Sequence, residues 1–222
     1  MFNNPFFNII VDKIKMNAKL IFFMLLKAYF LFFLRKSLFI DKRYEPKKLT
    51  VYSQDFYLRR YPEYEPIFAY NKKALFKYFN TTGIKNGECA SPAFDVRYYL
   101  ENNRGLKDKF GYNYTAVYEY FLTKGKYVTD EFSPIFNCKY YMENNQDLKK
   151  HLGENRDFMM DHFIKFGMRE GRKSSPNFIL EAYKNYNIDL QKAFKNNNFE
   201  YYMHYVLNGR IEGRISTFEQ FE

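Results

Sequence analysis

The 222-residue chain is expected to be all-α: four stacked 42-residue helical repeats in an α-solenoid-like array, preceded by a hydrophobic N-terminal helix. Three observations predict this class. Columns of like residues recur at a step of 42, among them Tyr57, Tyr99, Tyr141 and Tyr183, and Phe79, Phe121, Phe163 and Tyr205. Recurrence at a fixed period of this size is the sequence signature of stacked supersecondary units. Within each period, residues that favour helix starts and stops bracket apolar faces with helical spacing. Ahead of the periodic part lies one long apolar run, "KLIFFMLLKAYFLFFLRKSLFI", from Lys19 to Ile40.

That run opens the chain's organisation: residues 1–49 form a hydrophobic, basic anchor segment and linker. From Leu20 to Leu34 every residue except Lys27 is apolar or aromatic, which is 15 residues against the roughly 20 that a spanning helix needs. Residues 19–40 are therefore expected either to span a membrane once or to lie in its interface, with Lys19, Lys27 and Arg35 reaching toward water. An apolar helix packed on the end of the body is the third alternative. No small-x-small cleavage site follows the run, so no removal of the segment is expected. The basic, Pro-containing stretch Asp41–Lys48 suits anionic headgroups. Counting cations on the two flanks of a span would place the body in the cytoplasm.

The body, 50–217, divides without insertions into units 50–91, 92–133, 134–175 and 176–217, leaving a tail at 218–222. Ser53, Asp95 and Asn137 share a column and are expected to be helix N-caps, accepting from free N–H groups of the first turn. The rings just before and four after each cap, such as Phe94 and Tyr99, form a hydrophobic staple. Unit four has Ile179 in the cap column, so its first helix should start least firmly. Asn71, Asn113, Asn155 and Asn197 are a second cap column. Twelve residues later stand Gly83, Gly125, Gly167 and Gly209, expected to close the same helix as C-caps. Its interior carries a one-sided apolar face, as in Val117, Tyr118, Phe121 and Leu122. Between these helices, Asn103, Asn145 and Asn187 either cap a further short helix or end the first in a left-handed turn. Each unit is thus two helices or three short ones, unable to bury its apolar face alone.

Composition excludes several functions. Aromatic residues make up 22% of the chain, with no Trp, which is far too much ring for a disordered protein. Two cysteines, Cys89 and Cys138, cannot make a disulfide framework or a cysteine zinc site, though one bridge between them is open. The net charge of +10 suggests nucleic acid until its location is considered: residues 1–49 carry +7 of it and the body only +3. A phosphate-tracking groove needs its cations on the body, so a nucleic-acid partner is not expected. Phosphate-cradling glycine loops, paired histidines at helical spacing and nucleophile elbows are missing from the sequence. No catalytic, metal or cofactor-binding residue is assigned, and no cofactor is expected. His162 and His204 share a column with Tyr78 and Tyr120, which favours packing over chemistry. The remaining binding candidates are Asp147 and Asp189 in "NQDL" and "NIDL", and Arg172 and Arg214 in the two "EGR" triplets. Asn80-Thr-Thr and Asn113-Tyr-Thr match the glycosylation acceptor pattern.

Written as a consensus, a unit is F-[DN]-x-x-Y-Y-x-x-N-N-x-[DG]-L, a spacer, then [YH]-[FY]-x-x-x-G-x-x-E-G-R. This resembles a helical repeat of bacterial cell-surface and secreted proteins, "FDxxYYLxxNPDL … HYxxxGxxEGR", which also flanks some glycosyltransferases and is expected in giant-virus proteins. "FNCKYYMENNQDLKKHL" with "DHFIKFGMREGR" is the nearest stretch, and the resemblance spans 50–217. Departures are Arg104, Gln146 and Ile188 in place of the usual Pro, and units one and two without "EGR". The resemblance implies a surface or membrane context and no intrinsic catalysis. Together these expectations describe a non-enzymatic, membrane-tethered repeat scaffold with a protein or glycan partner. The alternative is an accessory glycan-binding or glycosyltransferase-associated subunit in surface glycan assembly. Surface context and flanking charge disagree about the side of the membrane.

Overall fold

Side-chain oxygens start six of the helices. In the computed structural model, which describes residues 51–68 and 71–219, Ser53 accepts from the Phe56 N–H at 3.5 Å. Asp95 accepts from Arg97 and Tyr98 at 2.9 and 3.2 Å, and Asn137 from Tyr140 at 2.8 Å. Asn71, Asn113 and Asn155 accept from the residue three ahead at 3.0, 3.2 and 3.1 Å. Asn197 holds the same position without a side-chain bond, as does Ile179. The described residues belong to one compact unit, Lys48–Glu222. The anchor segment 1–49 and its expected membrane helix lie outside the described residues.

The chain is helical, with no strand among the described residues. Three short helices recur in each 42-residue stretch. They are α1 (Gln54–Arg60), a 3-10 turn (Pro62–Tyr64) leading into α2 (Glu65–Phe68), and α3 (Lys72–Tyr78). Then follow α4 (Val96–Asn102), α5 (Arg104–Phe110) and α6 (Tyr114–Thr123). The third set is α7 (Cys138–Asn144), α8 (Gln146–Leu152) and α9 (Arg156–His162), with a last turn, α10 (Met168–Glu170). The fourth is α11 (Leu180–Tyr186), α12 (Ile188–Phe194) and α13 (Asn198–His204).

Each stretch closes on itself through the backbone. The N–H groups of Ser53, Asp95, Asn137 and Ile179 donate to the carbonyls of Ala90, Phe132, Ser174 and Ser216 at 2.7, 3.0, 2.8 and 2.9 Å. The central asparagines add a second tie, and they do it differently from the expectation. Neither a side-chain cap nor a left-handed residue is present at Asn103, Asn145 or Asn187. Instead each side-chain amide donates to the tyrosine carbonyl four residues back, at 2.8 Å, and to Glu131, Lys173 or Ile215 near the end of the same unit, at 2.9–3.0 Å. A buried carbonyl needs a donor, and the asparagine supplies it where the first helix has ended.

The core is a series of aromatic triads: Tyr52, Tyr57 and Phe79; Phe94, Tyr99 and Phe121; Phe136, Tyr141 and Phe163; Phe178, Tyr183 and Tyr205. Ring centroids within them lie 3.9–5.8 Å apart. Tyr118 touches both Phe79 and Phe94, and Tyr202 both Phe163 and Phe178, so rings bridge neighbouring triads. Phe132 does the same between Phe121 and Phe136. The hydroxyls of Tyr118 and Tyr202 reach back to the carbonyls of Glu88 and Arg172 at 2.8 and 2.5 Å. Between the second and third stretches charge replaces that bond: Lys126 meets Asp157 at 2.6 Å and Arg156 meets Asp130 at 2.7 Å. The first and fourth stretches also touch, since Arg59 grips Glu200 at 2.9 and 3.0 Å and lies over the Phe199 ring. In an open solenoid each repeat meets only its neighbours.

The glycine column has a role other than capping. Gly83, Gly125, Gly167 and Gly209 do not have positive φ, and three of them sit inside π-turns that continue the third helix (Phe79–Gly83, Phe163–Gly167, Tyr205–Gly209). A Cβ on Gly83 would stand 2.8 Å from the Tyr57 hydroxyl. At Gly125, Gly167 and Gly209 it would come closer still to the hydroxyls of Tyr99, Tyr141 and Tyr183. The column is glycine because the triad tyrosine lies against the helix backbone. Alanine normally gains about 1 kcal/mol over glycine in a helix, whereas overpacking costs about 1–3 kcal/mol. Gly209→Ala should therefore lower stability in urea denaturation, and Tyr183→Phe in the same chain should recover much of the loss. If Gly209→Ala raises the midpoint, the close approach is not what selects glycine.

One backbone position is out of keeping with its residue. Lys195 has φ 49° and ψ −122° at a column that holds Gly111 and Gly153 in the earlier units. A side chain is strained there by about 1–3 kcal/mol. Lys195→Gly should raise the melting temperature, and an unchanged or lower value would contradict this account.

Candidate functional site

The four charged residues singled out in the sequence come together in pairs. Arg172 Nη1 donates to both Asp147 carboxylate oxygens at 2.8 and 2.7 Å, while its Nε meets Glu170 at 2.6 Å. Arg214 repeats the arrangement with Asp189 at 2.7 and 2.8 Å and Glu212 at 2.7 Å. The arginine hydrogen bonds hold the Asp147 and Asp189 carboxyls below their ordinary range. These are surface clasps between the second helix of a unit and its end, with the arginine engaged by two carboxylates. As binding candidates the four residues are therefore occupied by one another.

Units one and two invert the charge in this column, placing Glu88 and Asp130 where Arg172 and Arg214 stand. Asp130 finds Arg156. Glu88 is buried and accepts from the hydroxyls of Tyr57 and Tyr64, the latter at 3.0 Å, and from the Asn86 amide at 3.0 Å. Burial, then the Glu88 hydrogen bond, pushes the Tyr57 hydroxyl up; burial also leads for Tyr64. A carboxylate that accepts three hydrogen bonds needs no salt bridge to be tolerated inside.

The column of Tyr78, Tyr120, His162 and His204 faces the triad tyrosines. His162 Nδ1 lies 2.9 Å from the Tyr141 hydroxyl, and His204 Nδ1 lies 2.8 Å from that of Tyr183. Both imidazoles are pushed below their usual value, chiefly by burial. The Tyr99 hydroxyl, by contrast, has no hydrogen-bond partner among the described residues. Cys89 and Cys138 are free thiols, buried and thus shifted away from the reactive thiolate, Cys138 to about 12. Asn113 is engaged as a cap, and the Asn80 amide donates to the Phe76 carbonyl at 3.0 Å. No group of three His, Cys, Asp or Glu gathers to hold a metal among the described residues.

Arginines outside the recurring columns line the largest of the surface clefts described. This cleft, about 480 Å³, is bounded by Arg59, Arg60, Tyr61, Arg97, Leu207 and Asn208. A neighbouring cleft of about 250 Å³ shares Arg97 and adds Leu100, Glu101, Lys107, Tyr112 and Tyr114. The signal was a departure from the repeat: Arg59-Arg60 stands where units two and three have Glu101-Asn102 and Glu143-Asn144. Compared with family models, curated proteins and solved structures, the chain gives no match.

The histidine pairs set a pH dependence. A folded imidazole below the unfolded value of about 6.5 takes up fewer protons than the unfolded chain, so stability falls as pH drops below that value. The urea midpoint should decrease between about pH 7.5 and 5.5, and His162→Gln with His204→Gln should flatten that decrease. A slope unchanged in the double variant would remove the histidines as its source.

Proposed function

We propose that the chain is a non-enzymatic helical-repeat scaffold, tethered to a membrane by residues 19–40, whose body presents clefts to a protein or glycan partner. The observation that carries this reading is the return, at steps of 42, of the same closing hydrogen bond and the same aromatic triad. It supports four stacked units, 50–91, 92–133, 134–175 and 176–217, forming an array in which unit one reaches unit four through Arg59 and Glu200. The resemblance to repeats of bacterial surface proteins agrees with an interaction role. The polar groups that most resemble chemistry, the Asp–Arg clasps and Tyr–His pairs, all bind parts of the scaffold to one another.

No helix among the described residues is long and apolar enough to cross a membrane, and residues 19–40 lie outside them. Tethering therefore rests on the apolar run itself. The full-length chain should stay with the pellet when membranes are extracted with alkaline carbonate. Its appearance in the supernatant would exclude an integral anchor. Protease protection of a C-terminal tag in sealed vesicles would then give the side on which the body lies.

A second reading, an accessory glycan-binding subunit, is favoured by one observation. Tyr112 is 68% exposed, lies 6.2 Å from Tyr114 and carries Lys107 over its ring at the mouth of the smaller cleft. Exposed rings of this kind stack on flat apolar faces of ligands. Binding to a glycan array that disappears in Tyr112→Ala would support it, and an array without hits would count against it.

A further inference from the structure

Arg60 and Arg97 are held by carbonyls rather than carboxylates. Arg97 donates through Nε to the Gly87 carbonyl at 3.1 Å and through Nη2 to the Asn86 carbonyl at 3.0 Å, and its guanidinium lies over the Tyr114 ring at 5.5 Å. Arg60 donates through Nη1 to the Val206 carbonyl at 3.4 Å and is also hydrogen-bonded to the Tyr61 hydroxyl. Among the described residues neither has a carboxylate at ion-pair distance, whereas Arg59 in the same cleft is neutralised by Glu200. Asp95 acts on Arg60 from further away, and its Oδ1 is already engaged by two backbone N–H groups. A guanidinium has five N–H groups, so most of the donors on both side chains are left for something else.

Three further features suit an anion. Carbonyl bonds orient a guanidinium without cancelling its charge, which is what a preformed clamp requires. The two arginines come from different helices, α1 and α4, so their forks can take separate oxygens of a tetrahedral group. Asn208, exposed in the same cleft, adds an amide donor, while the Tyr61 hydroxyl is already engaged by the Cys89 N–H at 3.2 Å. The volume, about 480 Å³, falls in the range of small-molecule sites, about 300–1,000 Å³, and exceeds the needs of a lone ion. A nucleic-acid backbone would need a longer track of cations, and here Glu200 and Glu101 flank the pair.

We propose that this cleft binds the phosphate of a small phosphorylated ligand, with Arg60 and Arg97 as the clamp and Asn208 completing it. The remainder of the ligand would extend past Arg97 toward Tyr112 and Tyr114. This assignment is independent of the membrane tether and of the glycan reading.

Isothermal titration of the full chain in a mild non-ionic detergent tests it, with pyrophosphate as the probe and sodium chloride of matched ionic strength as the control. One saturable site is expected for pyrophosphate. Affinity should fall by about tenfold or more in Arg97→Gln, the usual loss for a hydrogen bond to a charged group. Arg97 also joins two units, so Asn208→Asp serves as the second variant: it is exposed and nearly isosteric, and it sets a carboxylate beside the clamp. It should keep the parent melting temperature and lose at least as much affinity. Absence of saturable binding would overturn the proposal. So would a folded Asn208→Asp that binds like the parent, or displacement of pyrophosphate by the chloride control. Glucuronate binding where pyrophosphate does not bind would overturn the phosphate assignment.

Discussion

The fold depends on a tyrosine ring laid against a glycine in the helix that ends each unit. Tyr57, Tyr99, Tyr141 and Tyr183 are wholly buried, and each hydroxyl fills the space a Cβ would take. That contact brings the first helix of the unit onto the last, and the triad rings then pack around the pair. The last helix runs into a π-turn in three of the four units, whereas Gly125 in the second opens a 3-10 turn with the same tyrosine contact. Where the hydroxyl ends up, the units differ: against Glu88, against a histidine, or without a partner in unit two.

Polar bonds then convert a pair of packed helices into a closed unit. One backbone bond ties the start of each unit to its end, and a side chain adds a second tie: an asparagine in units two to four, and in unit one the Tyr61 hydroxyl, which accepts from the Cys89 N–H. The clasp column changes from glutamate to aspartate to arginine along the chain, and each version finds different partners.

The helical class, the caps and the staple rings were legible because they follow from local chemistry that repeats. Ser53, Asp95 and Asn137 needed only their own backbone to act. The glycines and the central asparagines were misjudged for the opposite reason. Their roles are set by groups far along the chain, a tyrosine 26 residues back and a carbonyl 28 residues ahead, and no local rule names those partners. The cleft is not legible in what the four units share. Arg60, Arg97 and Asn208 are residues in which one unit departs from the others, and a period makes departures look like noise.

The charged junction in the middle of the body has a bearing on how the chain finds its fold. The first and last junctions are chemically alike, each a tyrosine hydroxyl on the carbonyl of the preceding unit. Units built so similarly can dock in the wrong order, or onto a neighbouring molecule, with little loss. Met160 cannot make that bond, and its junction instead matches Lys126 with Asp157 and Arg156 with Asp130. Mispaired units would bury one of these charges alone, which is costly. The central seam thus favours its own pairing, because the buried Lys126 is matched by Asp157.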